Sequence, residues 1–442
     1  MKARMKDKDL ARMFENCFPN SLDTTVSWVS DDHDNPKSFI IAGDMDAAWL
    51  RDNLWQIQPY QRLLKSDKAI KHLWLGLINA QIEYLCQAPY ANSFQAPPES
   101  DRAPVLDHVV DMSKDVVHPP FDRSVTFEAK YALDSLASFL RLSRVYYENT
   151  GDDSFVNKDW IATLRIILKV LKEQSLSTFD EAGKLRDPAY SFQRASAASM
   201  AGPYGGPESP PNAGSGNPVS EGTGLIKSSF RASDDATIFP FWIPGNAFVA
   251  AELIRVADYV KDKNLAEETT ALGSRISAGI YEHAVFVHPI FGQVFAYEVD
   301  GYGSRLVMDD ASPPSLLSLP YLGFLDSSDP IYQNTRRMVL SRQGNPYFLE
   351  GRRLRGQGSP HINLRTVWPI GIIAQIFTSE SDEEILEQLE ALKTSTADLG
   401  LIHEGIDVDD PSRFLRTWYA WGNSAFGEMI LDLADRKPHL LF

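Results

Sequence analysis

The sequence predicts an all-α protein. Apolar residues recur at three- and four-residue spacing in one segment after another. Strand-like runs are few and short, Val285-Phe286-Val287 and Val294-Phe295-Ala296-Tyr297 among them. Tight connections alternate with long polar ones, as in helical hairpins that carry a site at one end. The spacing predicts helices over 46–66, 70–87, 126–149, 154–175, 236–262, 265–283, 313–324, 329–341, 364–378, 382–395 and 417–435. Asn149-Thr150-Gly151-Asp152 stops one of them and Lys437-Pro438 the last. No repeat of fixed period is visible, which argues against a solenoid.

Taken in order, residues 1–40 begin with a charged helical segment and pass into a short strand, Thr24-Thr25-Val26-Ser27-Trp28-Val29. Asp31-Asp32-His33-Asp34 reads as a solvated turn rather than a metal site. Phe39-Ile40-Ile41-Ala42 leads into Gly43-Asp44-Met45-Asp46-Ala47-Ala48-Trp49-Leu50-Arg51-Asp52-Asn53, the stretch around which the chain is organised. Its plain reading is a helix start, with Asp44 or Asp46 as N-cap and Trp49 in the core. Its functional reading is a charged cluster of Arg51, Asp52 and Asp46 that grips vicinal hydroxyls. Trp49 and Trp55 would then offer flat faces to a sugar ring. The long loops 88–125, 183–233, 296–312, 344–363 and 400–416 are chemically loaded. Residues 201–224 have the Gly/Pro/Ser composition of a linker, but both flanks share one helical texture.

The chain has 442 residues, 43% hydrophobic and 23% charged, as in a globular protein with a substantial core. Net charge is -16, which excludes nucleic acid and anionic membrane as partners, since both require a basic face. Cys17 and Cys86 are the only cysteines, so a disulfide framework and a thiolate metal cluster are excluded. Cys86, in an apolar helical run, reads as a small core residue. The basic N-terminus lacks the apolar segment of a signal peptide, which fits an intracellular protein or a secreted one whose leader has been removed. No apolar run reaches membrane-spanning length.

Four further polar constellations follow the first. In Ser228-Ser229-Phe230-Arg231-Ala232-Ser233-Asp234-Asp235, Ser233 reads as an N-cap that puts both acids in a first helical turn. A cap accounts for one acid; two acids with Arg231 suggest a carboxyl whose pKa is raised by a like charge, as a general acid requires. Met308-Asp309-Asp310-Ala311-Ser312-Pro313 is a second acid pair before a predicted helix. Gly356-Gln357-Gly358-Ser359-Pro360-His361 precedes Arg365 and Trp368, and its glycines allow close backbone approach or positive φ. His403-Glu404-Gly405-Ile406-Asp407 precedes Arg416, Trp418 and Trp421. Asp407–Asp410 lacks the glycine and terminal glutamate of a calcium loop. Nucleotide-binding, zinc-protease and α/β-hydrolase signatures are absent. Separated carboxylates, arginines and tryptophans on loops of a helical scaffold suit acid/base hydrolysis of a glycosidic bond.

Five strings resemble glycoside hydrolase family 125, the exo-α-1,6-mannosidases: DMDAAWLRDN, TGLIKSSFRASDDA, EVDGYGSRLVMDDASPPSLLSLPYLG, GSPHINLRTVWP and HEGIDVDDPSRFLRTWYAWGNSAFGE. The similarity runs from about residue 20 to the C-terminus. The resemblance implies an (α/α)6 barrel with its site at one end, spanning 1–442 as one domain with 1–40 as an extension packed on it. It also implies metal-independent, inverting hydrolysis with no cofactor. By the family's motifs the general acid is Asp234 or Asp235, with Asp234 preferred, and the general base is Glu404. Asp44, Arg51, Asp52, Asp309, Asp310 and His361 would hold the terminal sugar, with Arg231 beside them and Trp49, Trp368, Trp418 and Trp421 as ring platforms. The expected partner is a mannose-containing oligosaccharide or N-glycan, and the expected unit a monomer.

Two departures stand out. In Val125-Thr126-Phe127-Glu128-Ala129-Lys130-Tyr131, Ala129 occupies a place where a larger or charged residue is expected. Loop 195–218 is longer and richer in proline and glycine than the usual bacterial pattern. Both bear on subsites beyond the first, hence on substrate length and linkage. The competing readings are an inverting glucosidase of the same fold, a carbohydrate-binding protein without activity, and a sugar phosphorylase using Ser359 and His361 for phosphate.

Overall fold

A computed structural model describes residues 1–106, 112–194 and 208–442. Its main helices are Lys8–Cys17 (α1), Leu50–Ile57 (α2), Lys68–Gln87 (α3), Leu133–Thr150 (α4), Lys158–Gln174 (α5), Ile243–Val256 (α6), Lys263–His283 (α7), Leu319–Leu322 (α8), Pro330–Val339 (α9), Pro369–Phe377 (α10), Asp382–Lys393 (α11) and Ala420–Arg436 (α12). The even-numbered helices form an inner ring: α2 packs on α4 and α12, α6 on α4 and α8, and α10 on α12. The odd-numbered ones cover it, α7 lying on α6, α11 on α10, and α1 on α12 and α11. This is an (α/α)6 barrel. Every residue of α2 is buried, because the inner ring is covered on all sides. Helix α7 buries only one stripe, from Leu265 through Leu272 and Ile276 to Ile280.

The two rings begin differently. Every outer helix has a side-chain N-cap: Asp7, Asp67, Asn157, Asp262, Asp329 and Ser381 each accept at least one hydrogen bond from a first-turn N–H. The residues at the corresponding inner positions are Trp49, Ala132, Trp242, Ser318, Trp368 and Tyr419, and none makes a side-chain cap bond. Asp67 Oδ1 accepts from Ala69 N at 2.8 Å and Ile70 N at 3.1 Å. Asp67→Ala is therefore expected to cost about 1 kcal/mol, read as a lower urea midpoint.

Most inner helices are entered from short strands instead. Three small antiparallel sheets join the loops at this end. Ala48–Trp49 pairs with Ser93–Phe94, which pairs with Thr126–Glu128. Phe241–Trp242 pairs with Glu298–Val299, which pairs with Arg305–Leu306. Thr366–Val367 pairs with Gly405–Asp407, which pairs with Phe414–Leu415. Four expected helices differ in start or length. Helix 126–149 starts at Leu133 and helix 236–262 at Ile243, because aromatic and β-branched strands precede them. Helix 46–66 starts at Leu50, so neither Asp44 nor Asp46 caps it, and it tightens into a 3-10 turn at Gln58–Leu63, which contains Pro59. Helix 313–324 shrinks to Leu319–Leu322, since Pro313 and Pro314 cannot donate to a helical ladder.

Cys86 also differs from its expected place. It is exposed near the C-terminal end of α3, whereas Cys17 is buried and burial pushes its thiol up to about 12. Among the described residues no helix is long and apolar enough to cross a membrane.

Candidate active site

Where the inner helices begin, their first turns and the preceding loops line a cavity that opens to solvent. Trp49, Arg51, Asp52, Ser233, Asp234, Ser312, His361, Trp368, Glu404, Arg416, Tyr419 and Trp421 are in its wall. Helix dipoles of the inner ring point their positive ends here, which suits a site built of carboxylates. A wider cleft lies outside the barrel, between α9 and α11, lined by Arg336, Arg337, Arg342, Arg355 and Glu384. It has no tryptophan, and Glu384 is neutralised by Arg336 at 2.9 Å. The clustered carboxylates, arginines and tryptophans lie in the barrel-end cavity instead.

Arg51 is the hub. Its Nη2 lies 3.0 Å from Asp52 Oδ2, and its Nη1 lies 3.5 Å from Asp134 Oδ2 and 3.4 Å from Asp234 Oδ1. The guanidinium also faces the Trp421 ring at 5.2 Å. Burial opposes its charge, but Asp234, Asp52 and Asp134 hold it above its ordinary value. Burial in turn raises the carboxyl of Asp52, and it raises that of Asp134 to about 6.

Ser233, Asp234 and Asp235 do not begin a helix. A bridge between Phe230 and Ala236 closes a tight turn, in which Arg231 N donates to Asp235 O and Asp234 N to Arg231 O. Asp234 occupies the left-handed region at φ 65°, which costs a residue with a Cβ about 1–2 kcal/mol. The turn separates the two acids. Asp234 is in the cavity wall, while Asp235 is buried behind it with its Oδ1 2.8 Å from His361 Nδ1. Burial opposes a charge on His361, yet Asp235, by its charge and its hydrogen bond, holds the imidazolium above its ordinary range. The sign follows from a folded pKa above the unfolded one: this pair's stabilisation is complete below about pH 6.5 and is lost as pH rises through the elevated value. Asp235→Asn is expected to lower the His361 titration midpoint, followed by NMR of ¹³C-labelled histidine.

Asp309 and Asp310 stand one layer further back. Asp309 accepts from Leu316 N at 2.8 Å, Leu317 N at 3.0 Å and Gln357 Nε2 at 2.9 Å, and burial raises its carboxyl to about 7. Asp310 accepts from the Ser233 and Ser359 hydroxyls, both at 3.0 Å, and so ties the Asp234 turn to the Gly358 loop. Gly358 serves close approach rather than positive φ: a Cβ there would meet Thr366 O at 2.7 Å. Arg231 is not in the wall either. Its Nε lies 2.6 Å from Glu298 Oε1, whose other oxygen accepts from Ile238 N and Phe239 N. Asp309, Asp310 and Arg231, all expected at the sugar, are buried and brace the loops that form the wall.

Glu404 enters the same cavity just before the strand Gly405–Asp407. Arg416 Nε lies 3.4 Å from Glu404 Oε2, and its Nη1 3.3 Å from Asp44 Oδ1. His403 stacks on Phe414 at 3.7 Å and reaches the carbonyls of Thr396 and Arg416, so it braces this strand pair. Trp49, Trp368 and Trp421 are in the wall. Trp418 is outside it, covering Gly43 and donating from Nε1 to Thr24 Oγ1 at 3.0 Å. The sequence reading did not single out Asn92, Lys130, Asp134 or Tyr419 for the site. Only Asp134, an acid in the first turn of a largely apolar helix, carried a usable signal. Loop residues 195–207 lie outside the described residues. Among the described residues no three His, Cys, Asp or Glu side chains are grouped to hold a metal ion.

A family model described as the metal-independent α-mannosidases (GH125) matches residues 7–431. The chain is 48% identical over 445 residues to the meiotically up-regulated gene 157 protein of Schizosaccharomyces pombe, covering 100% of this chain and 85% of that one. Its structure is similar to a Streptococcus pneumoniae metal-independent α-mannosidase solved as a non-productive complex with α-1,6-mannobiose. That likeness has a TM-score of 0.86 and 30% identity, over 99% of this chain and 96% of that one. A bacterial glucoamylase complexed with acarbose matches with a TM-score of 0.53 and 11% identity, over 88% of this chain and 49% of that one, a likeness of fold alone.

Proposed function

Since the chain belongs to the metal-independent α-mannosidases of family GH125, we propose that it is an inverting exo-α-1,6-mannosidase in which Asp234 is the general acid and Glu404 the general base. The observation that carries this reading is the shared cavity: its wall holds both Asp234 and Glu404, together with Arg51 and three tryptophans. Asp234 rather than Asp235 is the acid, because Asp235 is buried and engaged by His361. The cavity closes the end of a barrel, as suits one terminal sugar. The related pneumococcal enzyme was solved with α-1,6-mannobiose, which supports that linkage.

Asp234 gives its proton to the glycosidic oxygen as the C1–O bond lengthens. Glu404 removes a proton from a water that attacks C1 from the opposite face, and mannose leaves as the β-anomer. Positive charge develops on the ring between these events. Asp52, beside Arg51 in the wall, and the faces of Trp49, Trp368 and Trp421 hold the ring for it.

Incubation with α-1,6-mannobiose in EDTA, followed through the anomeric protons by NMR, tests the reading. β-Mannose appearing first supports it. α-Mannose first means retention and recasts Glu404 as a nucleophile. No turnover of α-1,6-, α-1,2- or α-1,3-linked mannobiose overturns it.

A further inference from the structure

Asp234 is held at its main chain and at its carboxyl by neighbouring buried side chains. Lys130 Nζ donates to the Asp234 carbonyl at 3.1 Å. The ammonium is buried, lies over the Phe230 ring at 5.3 Å, and stands 3.6 Å from Glu128 and 3.5 Å from Glu208. Asn92 completes the frame. Its Oδ1 accepts from Lys130 N at 3.0 Å, while its Nδ2 lies 3.2 Å from Glu128 Oε2 and 3.5 Å from Asp234 Oδ1. Behind these, Arg194 pairs with Asp115 and Glu128, each at 2.8 Å, and with Glu208 at 3.0 Å. Burial opposes the charge on Lys130, but the Glu128 carboxylate keeps the ammonium above its ordinary value.

A core lysine with two carboxylates already beside it has no need of a third partner, yet it is aimed at the carbonyl of the one residue in this turn with a left-handed backbone. Such a conformation persists only where surrounding groups over-determine it. Without the Lys130 bond the turn can relax toward ordinary φ, which swings the carboxyl away from the leaving oxygen. Arg51 faces the Asp234 carboxyl and Lys130 its main chain, so the two cations fix different ends of the same residue.

We propose that Lys130 and Asn92 are positioning residues that lock Asp234 in the left-handed turn from which it protonates the leaving group. The inference rests on Asp234 being the general acid. Lys130 reaches only the main chain of Asp234 and Asn92 its Oδ1, and both act on the reaction through that residue.

The test compares a substrate that needs the acid with one that does not. In α-1,6-mannobiose the reducing-end mannose would leave as its C6 alkoxide unless the glycosidic oxygen is protonated. α-Mannosyl fluoride loses fluoride as the anion when C1–F breaks, so it needs the base and the attacking water but no proton donor. Lys130→Met and Asn92→Ser are expected to lower kcat on mannobiose by about 10²-fold through misplacement of the acid, with KM little changed. Both should keep fluoride hydrolysis within about threefold of the parent, since the water and Glu404 are untouched. Lys130→Arg, which keeps a donor at this point, should recover part of the mannobiose rate. Asp234→Asn is the reference: loss on mannobiose with fluoride hydrolysis spared identifies the acid. Asp234→Asn losing both substrates alike overturns the acid assignment, and the positioning role with it. If Asp234→Asn spares the fluoride but folded Lys130→Met and Asn92→Ser lose both substrates alike, or lose neither, the positioning inference alone is overturned. Should Lys130→Met fail to fold, Asn92→Ser decides by the same criterion.

Discussion

Glu404→Gln is expected to lower kcat on α-1,6-mannobiose by about 10²–10⁴-fold, the range for removing a general base, while mannobiose binding by calorimetry should change little. The expectation comes from where Glu404 sits. It is buried in the cavity wall, and Arg416 links it to Asp44. Glutamine keeps the shape and can still accept from Arg416, and Arg416 keeps Asp44, so no buried charge is stranded. The strand that carries residue 404 is fixed independently, by His403 against Phe414 and by the ladders to Thr366–Val367 and Phe414–Leu415. A structural loss is therefore not built into the variant. Retention of more than a tenth of the parental rate sinks the base assignment. An intact protein that binds mannobiose and never turns it over would restore the binding-protein reading.

The scaffold was legible in the sequence to different depths. Helices with a solvent-facing side carry a polar stripe and a capping residue, so 70–87, 154–175, 265–283, 329–341 and 382–395 fall within a few residues of α3, α5, α7, α9 and α11. Inner helices lose both cues. They are apolar on most sides, and what precedes four of them is a two- or three-residue strand whose aromatic or β-branched residues continue the helical pattern: Trp49, Phe127, Trp242 and Val367 all do this. The same blind spot hides chemistry, because the site is built at those uncapped starts.

Among the site residues, the sequence could show that acids were crowded at 44–52, 234–235, 309–310 and 404, but not which layer each occupies. Asp309 and Asp310 look as catalytic on paper as Asp234 and Asp235. Only the tight turn at 230–236 and the serine bonds to Asp310 sort wall from backing. Asn92 and Lys130 carry no local pattern at all. Their roles come from contacts with Asp234, more than a hundred residues away along the chain.

Arg51→Met is expected to be the most damaging single change, in stability and activity together. Breaking a buried ion pair from one side costs about 3–5 kcal/mol, because the partner charge is left behind. Here three partners are left: Asp52, Asp134 and Asp234, all within 3.5 Å of one guanidinium. Methionine fills the space and keeps the contact with Trp421, so the deficit reports charge rather than a cavity. The carboxylates can escape only by binding protons. Asp134, already raised to about 6 by burial, moves further up without Arg51. Groups whose folded pKa lies above the unfolded one stabilise the fold at low pH and lose that contribution as pH rises through the folded value. Urea unfolding should therefore show a larger gap between variant and parent at about pH 8 than at about pH 5. Arg51→Lys should not close it, since one ammonium cannot present Nη2 to Asp52 and Nη1 to both Asp134 and Asp234. A gap that is the same at both pH values would mean that these carboxylates do not titrate with the loss of Arg51. The hub would then be a packing element rather than the charge that holds the acid in place.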